Sequence, residues 1–288
     1  MSGNVEIGVI GGSGLYEIQG IEELQEIAVE TPFGKPSDLF NVGKLNGIKI
    51  AFLPRHGRGH RLLPSEINFR ANIYAMKKLG VKRIISVSAV GSMKEDIAPG
   101  DMVIPDQFYD HTKRRISTFF GDGIVGHVAL ADPVCMDLSK RIAESGRKAG
   151  AKVHEGGTYL CIEGPQFSTR AESNIYRNWG VEVIGMTNVT EAKLAREAGL
   201  CYATLALSTD YDCWHAEEED VSVDAVLETL QKNVATAKAI IKLAVSQEIL
   251  QTDCACKDAV KAAILTDPNR FPEETRKRLE LLLEDTHD

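Results

Sequence analysis

Short apolar runs of strand length alternate with stretches of helical spacing along this chain, and that alternation limits its possible folds more than any other property. The runs cover 5–10, 48–53, 84–88, 102–105, 157–161, 181–184 and 201–207. Helical spacing covers 65–79, 136–149, 170–179, 191–198, 223–246 and 272–283, with Gly80 and Gly150 placed to close two of these helices. Such a pattern predicts an α/β fold, a three-layer α/β/α sandwich around a central mixed, largely parallel sheet. No linker, repeat or low-complexity stretch interrupts it. We expect one domain over 1–251, with a C-terminal helical extension over 252–288 packed on the same domain.

A chain of 288 residues can bury a sizeable core. Its net charge of -8 argues against nucleic acid or an anionic membrane surface as a partner. No apolar stretch approaches the roughly 20 residues of a membrane span. Met1-Ser2-Gly3-Asn4 leads directly into the first strand, so no signal peptide is expected and the cytoplasm is the expected location. The 6 cysteines are too few for a disulfide scaffold and lack the doubled CxxC spacing of a zinc site, so no metal is expected. Cys135, Cys161, Cys201 and Cys213 lie in or beside apolar segments and read as small buried hydrophobes. Cys254-Ala255-Cys256 lies in a polar tail and could form a strained redox pair.

In open α/β sheets, ligands bind beyond the carboxyl ends of the strands. The loops there read Gly11-Gly12-Ser13-Gly14, Arg55-His56-Gly57, Ser88-Ala89-Val90-Gly91-Ser92, Glu163-Gly164-Pro165, Gly185-Met186-Thr187-Asn188 and the Asp210/Asp212 turn. Hydroxyls, glycine-freed backbone amides and an arginine-histidine pair suit a small oxyanion such as phosphate. A dinucleotide loop fails, because the third glycine of GxGxxG falls at Glu17, and no Gly-Lys-Ser/Thr sequence supplies a P-loop. Strand alternation would send Asp210 and Asp212 to one side. Two carboxylates at the end of a core strand suit a ligand rich in hydrogen-bond donors, or a site that must take up a proton. The same pair could equally form a solvated turn or cap a helix. Among Arg55, His56, Arg58, His60 and Arg61, the place right after a strand favours Arg55 and His56 for an anion.

Taken together, these loops resemble the purine nucleoside phosphorylase superfamily, in its branch that acts on 5'-methylthioadenosine. The resemblance also takes in Thr31-Pro32-Phe33-Gly34-Lys35-Pro36-Ser37-Asp38, Ile162 through Ser173 and Ser208-Thr209-Asp210-Tyr211-Asp212-Cys213-Trp214, in family order to about Gln251. It implies phosphorolysis of methylthioadenosine to adenine and 5-methylthioribose-1-phosphate, with inorganic phosphate as co-substrate and no other cofactor. By the same resemblance Ser13, Arg55, His56, Ser88, Ala89 and Thr187 hold phosphate, Phe167 stacks on the purine, and the Met186 backbone meets the ribose. Asp210 and Asp212 recognise the base and serve catalysis. Ser168, Val223, Val226 and His127 tune the substrate choice, His127 entering from a neighbouring subunit and Val260 closing the wall. A homo-oligomer, a trimer or a dimer of trimers, is implied.

A carboxylate pair matches the donor 6-amino group of adenine, whereas a 6-oxo group would suit asparagine. The sequence departs from the family pattern where Ser13 and Ser88 replace threonine, where Gly185 replaces an amide side chain, and at Asn188 and Thr190. A broader 6-aminopurine nucleoside phosphorylase that also takes adenosine, a hydrolytic nucleosidase and a non-catalytic nucleoside-binding protein remain as alternatives. The Cys-x-Cys tail resembles that of archaeal-type relatives and implies a disulfide, at Cys254 and Cys256 or at Cys135 and Cys201.

Overall fold

The computed structural model describes residues 5–12, 15, 17–215, 223–251 and 254–284, the side chains of 223–228 excepted. In chain order the elements are β1 (Ile7–Gly11), β2 (Glu22–Ile27), β3 (Phe40–Leu45), β4 (Ile48–Pro54), α1 (Phe69–Lys78), β5 (Arg83–Ser92), β6 (Met102–Ile104), β7 (Gln107–His111) and α2 (Met136–Lys148). They continue with β8 (Val153–Glu155), β9 (Thr158–Ile162), α3 (Arg170–Asn178), β10 (Val183–Gly185), α4 (Asn188–Glu197), β11 (Cys201–Asp210), α5 (Val223–Ala244), α6 (Gln247–Leu250) and α7 (Glu273–Leu283).

The strands form one mixed sheet in the order β2-β3-β4-β1-β5-β10-β9-β7, with β11, β6 and β8 branching from β5. Parallel pairing joins β1 to β4 and β5, β11 to β5, β9 to β7 and β10, and β6 to β8. The other pairs, β2–β3, β3–β4, β5–β10 and β6–β11, are antiparallel. β5 is the pivot. Its first half lies beside β1, with Ile10 opposite Ser86, while its last residues Gly91 and Ser92 pair with Ile184 and Val183 of β10.

Alternation along the strands feeds two cores. Ala203, Leu205 and Leu207 of β11 join Leu138 and Ile142 of α2 and Ile240 and Ile241 of α5 on one face. Tyr202 points the other way and joins Ile73 of α1, Leu194 of α4 and Leu279 of α7. Helices therefore cover both faces, as the sequence predicted. The C-terminal residues Val260, Leu279, Leu282 and Leu283 are buried in that second core.

Four strands escaped the sequence reading. β2 is exposed along nearly its whole length and β8 and β7 are short and half-exposed, so none carries an apolar run. β3 forms a hairpin with β4 through Asn46-Gly47, both at positive φ (53° and 77°), as a type I′ turn requires. The helix expected from residue 65 starts only at Phe69, where the Asn68 side chain accepts from the Ala71 N–H.

Candidate active site

The carboxyl ends of β1, β4, β5, β10 and β11 converge, because β5 lies between β1, β10 and β11. At this convergence the Ser88 hydroxyl lies 3.3 Å from the Tyr159 hydroxyl and 3.5 Å from that of Thr187. Ala89 follows Ser88, its carbonyl accepting from the Ser88 hydroxyl at 3.2 Å. Thr187 sits at the N-cap position of α4 and donates to Asn188 Oδ1 at 3.1 Å. Three hydroxyls thus gather beside a helix N-terminus, a neutral donor set suited to an oxyanion. Burial pushes the Tyr159 hydroxyl well up, so it stays protonated and able to donate.

Tyr159 also accounts for a departure noted in the sequence. A Cβ on Gly185 would overlap the Tyr159 hydroxyl, so the place of a side chain at 185 is taken by an oxygen arriving from β9. Nothing in the spacing points to Tyr159, which reads as one more apolar residue of its strand.

Arg55 lies where the sequence puts it, just after β4, but its guanidinium faces into the protein. Nε donates to Glu191 Oε1 at 2.5 Å and Nη2 to Glu191 Oε2 at 3.1 Å. Nη1 donates to the Val87 carbonyl at 2.8 Å and Nη2 also to Ser86 Oγ at 2.6 Å. Both partners are buried, with side-chain exposures of 3% and 1%. Burial disfavours the Arg55 charge, yet Glu191 outweighs it and the Arg55 pKa is raised. Glu191 Oε2 further accepts from Ser86 at 2.7 Å and Tyr202 at 3.0 Å, and Asn188 donates to Ser86, Tyr202 and Thr204. This network ties β4, β5, α4 and β11 together directly behind the hydroxyls. Glu191 was not singled out in the sequence, although a carboxylate among Val189, Ala192, Leu194 and Ala195 is a signal for a buried pair.

His56 is half-buried. Its Nδ1 donates to the Leu62 carbonyl at 2.9 Å and its ring stacks on His60 at 4.3 Å. Burial pushes its pKa down to about 4, helped by the Arg55 and His60 charges, so the ring is neutral at pH 7. Arg58 pairs with Glu26 at 2.5 Å, and Arg61 lies 3.8 Å from Asp38.

β11 ends at Asp210, where the register against β5 shifts. Strand alternation therefore does not align the two carboxylates. Asp212 follows in a turn at φ 52°, and its N–H donates to Asp210 Oδ1 at 2.8 Å. Thr209 donates to Asp210 Oδ2 at 2.7 Å. Gly91 makes room, since a Cβ there would lie 2.8 Å from Asp210 Oδ1. Burial raises the Asp210 pKa, and the nearby Asp212 charge adds to it. Asp212 is raised as well, chiefly by burial, with the Ser173 and Ser168 hydroxyls opposing.

Phe167 is 48% exposed on the loop before α3. Ser168 follows it, its carbonyl accepting from Cys213 Sγ at 3.3 Å. The Met186 carbonyl accepts from Arg115 Nη1, a guanidinium that also donates to the Glu163 carbonyl at 2.8 Å. His127 is exposed, its N–H tied to the Ala263 carbonyl at 2.8 Å. Val260 is only 3% exposed and packs in the core with Ala198 and Leu200. Ser13 lies outside the described residues, as do the side chains of Val223 and Val226.

Hydroxyls thus gather near the end of β5, and a carboxyl with a raised pKa ends β11, in a sheet covered by helices on both faces. The chain belongs to the phosphorylase superfamily, whose family model matches residues 6–246. Within it, the chain is 61% identical to S-methyl-5'-thioadenosine phosphorylase of Geobacter sulfurreducens, over 96% of this chain and 97% of that one. A methylthioadenosine phosphorylase from an Antarctic soil metagenomic library superimposes with a TM-score of 0.93 at 50% identity, covering 97% of this chain and 99% of its own. A variant of adenosine/methylthioadenosine phosphorylase from Schistosoma mansoni in complex with methylthioadenosine gives a TM-score of 0.80 at 34% identity, over 99% of each chain.

Proposed function

We propose that this chain catalyses phosphorolysis of 5'-methylthioadenosine, releasing adenine and 5-methylthioribose-1-phosphate. The observation that carries this reading is the half-buried Asp210 carboxyl, raised in pKa by burial and by Asp212, which stands opposite Gly91, three residues along β5 from Ser88, whose hydroxyl meets those of Thr187 and Tyr159. The names of the relatives support the same substrate.

Cleavage of the N-glycosidic bond builds positive charge on the ribose and negative charge on the purine. Phosphate, held by Ser88, Ala89 and Thr187 with Ser13, His56 and Arg55 near it, lies below the ring and supplies both the nucleophile and its stabilising charge. The role of Arg55 in this scheme is to hold the phosphate loops in place, because its guanidinium is bound by Glu191. Asp210 gives a proton to purine N7, so that adenine leaves neutral. Asp212 accepts from the exocyclic amine and keeps Asp210 protonated. The exposed face of Phe167 stacks on the base, and Ser168, Val223, Val226 and His127 shape the 5' side. His127, exposed in the single chain, would enter the site from a neighbouring subunit of a homo-oligomer. The exposed Tyr109, Ile175 and Trp179 are apolar surface such an assembly would cover.

The test is adenine release from methylthioadenosine with and without phosphate, beside adenosine and inosine. Phosphate-dependent release with inosine inert supports the reading, and a rate on adenosine near that on methylthioadenosine would broaden it. Equal release without phosphate would mean hydrolysis, and none at all a binding protein. In Asp210→Asn, kcat should drop by about 10²–10⁴-fold, the range of a general acid. Phosphate affinity, read by calorimetry, should stay within about twofold, because no phosphate donor is altered.

A further inference from the structure

Four cysteines that are far apart in sequence meet at the opposite end of the sheet. Cys135 occupies the N-cap position of α2, Cys201 opens β11, and Cys254 and Cys256 lie on a 3-10 turn in the C-terminal segment. Their four Sγ atoms all lie within 4.8 Å of one another. Cys201 Sγ is 2.9 Å from Cys254 Sγ. Cys135, Cys201 and Cys256 are buried and Cys254 is partly exposed. A zinc ion with tetrahedral Zn–S bonds of about 2.3 Å requires sulfurs about 3.8 Å apart, within the range of separations this cluster spans.

The surroundings suit anionic sulfur. Arg196 Nη1 lies 3.9 Å from Cys256 Sγ, and the same guanidinium is fixed by the carbonyls of Asp132 and Val134. Arg83 stands opposite Cys201 in the β5–β11 register and donates to the Leu250 carbonyl at 3.1 Å. The Arg196 cation beside the sulfurs offsets part of the net charge a tetrathiolate zinc centre would carry.

We propose that Cys135, Cys201, Cys254 and Cys256 form a closed tetrathiolate zinc site that clasps the C-terminal segment to the starts of α2 and β11. Zinc binds as Zn²⁺ and displaces the thiol protons to solvent. No electron moves, so no oxidant is needed, whereas closing the thiols into disulfides would require one. With four protein ligands the ion has no open position and its work is structural. It is also remote from the chemistry, because Cys201 and Asp210 are separated by the length of β11, roughly 30 Å.

The site escaped the sequence reading for a plain reason. Zinc-site spacing is recognised when ligands come in CxxC pairs, and here three separate segments supply them.

The experiment is elemental analysis of the full-length chain purified with a thiol reductant and without chelator, followed by cobalt titration of the zinc-stripped, reduced chain. Stoichiometric zinc and the absorption bands of tetrahedral cobalt tetrathiolate are expected. A chelator should lower the thermal midpoint while leaving adenine release at low temperature unchanged. Cys254→Ser should weaken zinc binding by more than the roughly 10–100-fold that losing an outer-shell partner costs. Should that variant not fold, the cobalt titration of the unaltered chain decides alone. Zinc-free protein that yields no thiolate–cobalt bands would overturn the proposal. So would finding the four sulfurs paired as disulfides in protein purified under reducing conditions.

Discussion

Asp210 and Asp212 set the pH behaviour of the proposed chemistry. Proton donation to the purine needs a protonated carboxyl, and the raised Asp210 pKa keeps that form present further up the pH scale. Activity should therefore fall as pH rises through the Asp210 pKa. The Asp212 charge contributes to that raised value, so Asp212→Asn should move the alkaline limb of kcat/KM to lower pH. An unmoved limb would mean another group titrates. Tyr159 and Gly185 form a second residue-scale pair. Gly185→Ala would drive a methyl into the Tyr159 hydroxyl, costing about 1–3 kcal/mol as overpacking. A lowered thermal midpoint together with a raised KM for phosphate is the expected result. The glycine was visible in the sequence, but its reason was not, since the obstructing oxygen arrives from another strand.

At the scale of elements, α4 is fastened to β4 and β5 by charge as well as by packing. Glu191→Gln would leave the Arg55 guanidinium buried without its counter-charge, and breaking one side of such a pair costs about 3–5 kcal/mol. Denaturant unfolding should register that loss. Because the same network backs Ser88 and Thr187, phosphate KM should rise with it. Strands with continuous apolar runs, such as β4 and β11, were legible from composition alone. β2 was not, because all but its last residue are exposed and its pairing with β3 decides its conformation. The β3–β4 hairpin was legible in principle, since Asn46-Gly47 between apolar segments is a strong turn signal. The pairing of the two aspartates rests on a turn, and a strand pattern has no means of placing it.

For the whole molecule, the three layers and the side of the sheet that carries the site followed from periodicity and from where the glycine-rich loops fall. The thiol cluster did not, because contacts between residues 135, 201 and 254 exist only once the chain is folded. The burial of Val260 was not legible either, as an apolar residue in a tail gives no hint of which surface it covers. The inward-facing Arg55 has a consequence for how the enzyme meets its anionic co-substrate. With that guanidinium neutralised by Glu191 and His56 uncharged at pH 7, the proposed phosphate site would hold its anion largely by neutral dipoles in a protein of net charge -8. Long-range attraction then plays little part in capture, and the protein's overall field repels the dianion. Raising the ionic strength screens that repulsion, so the phosphate KM should stay level or fall with added salt, the reverse of a site built on open arginines.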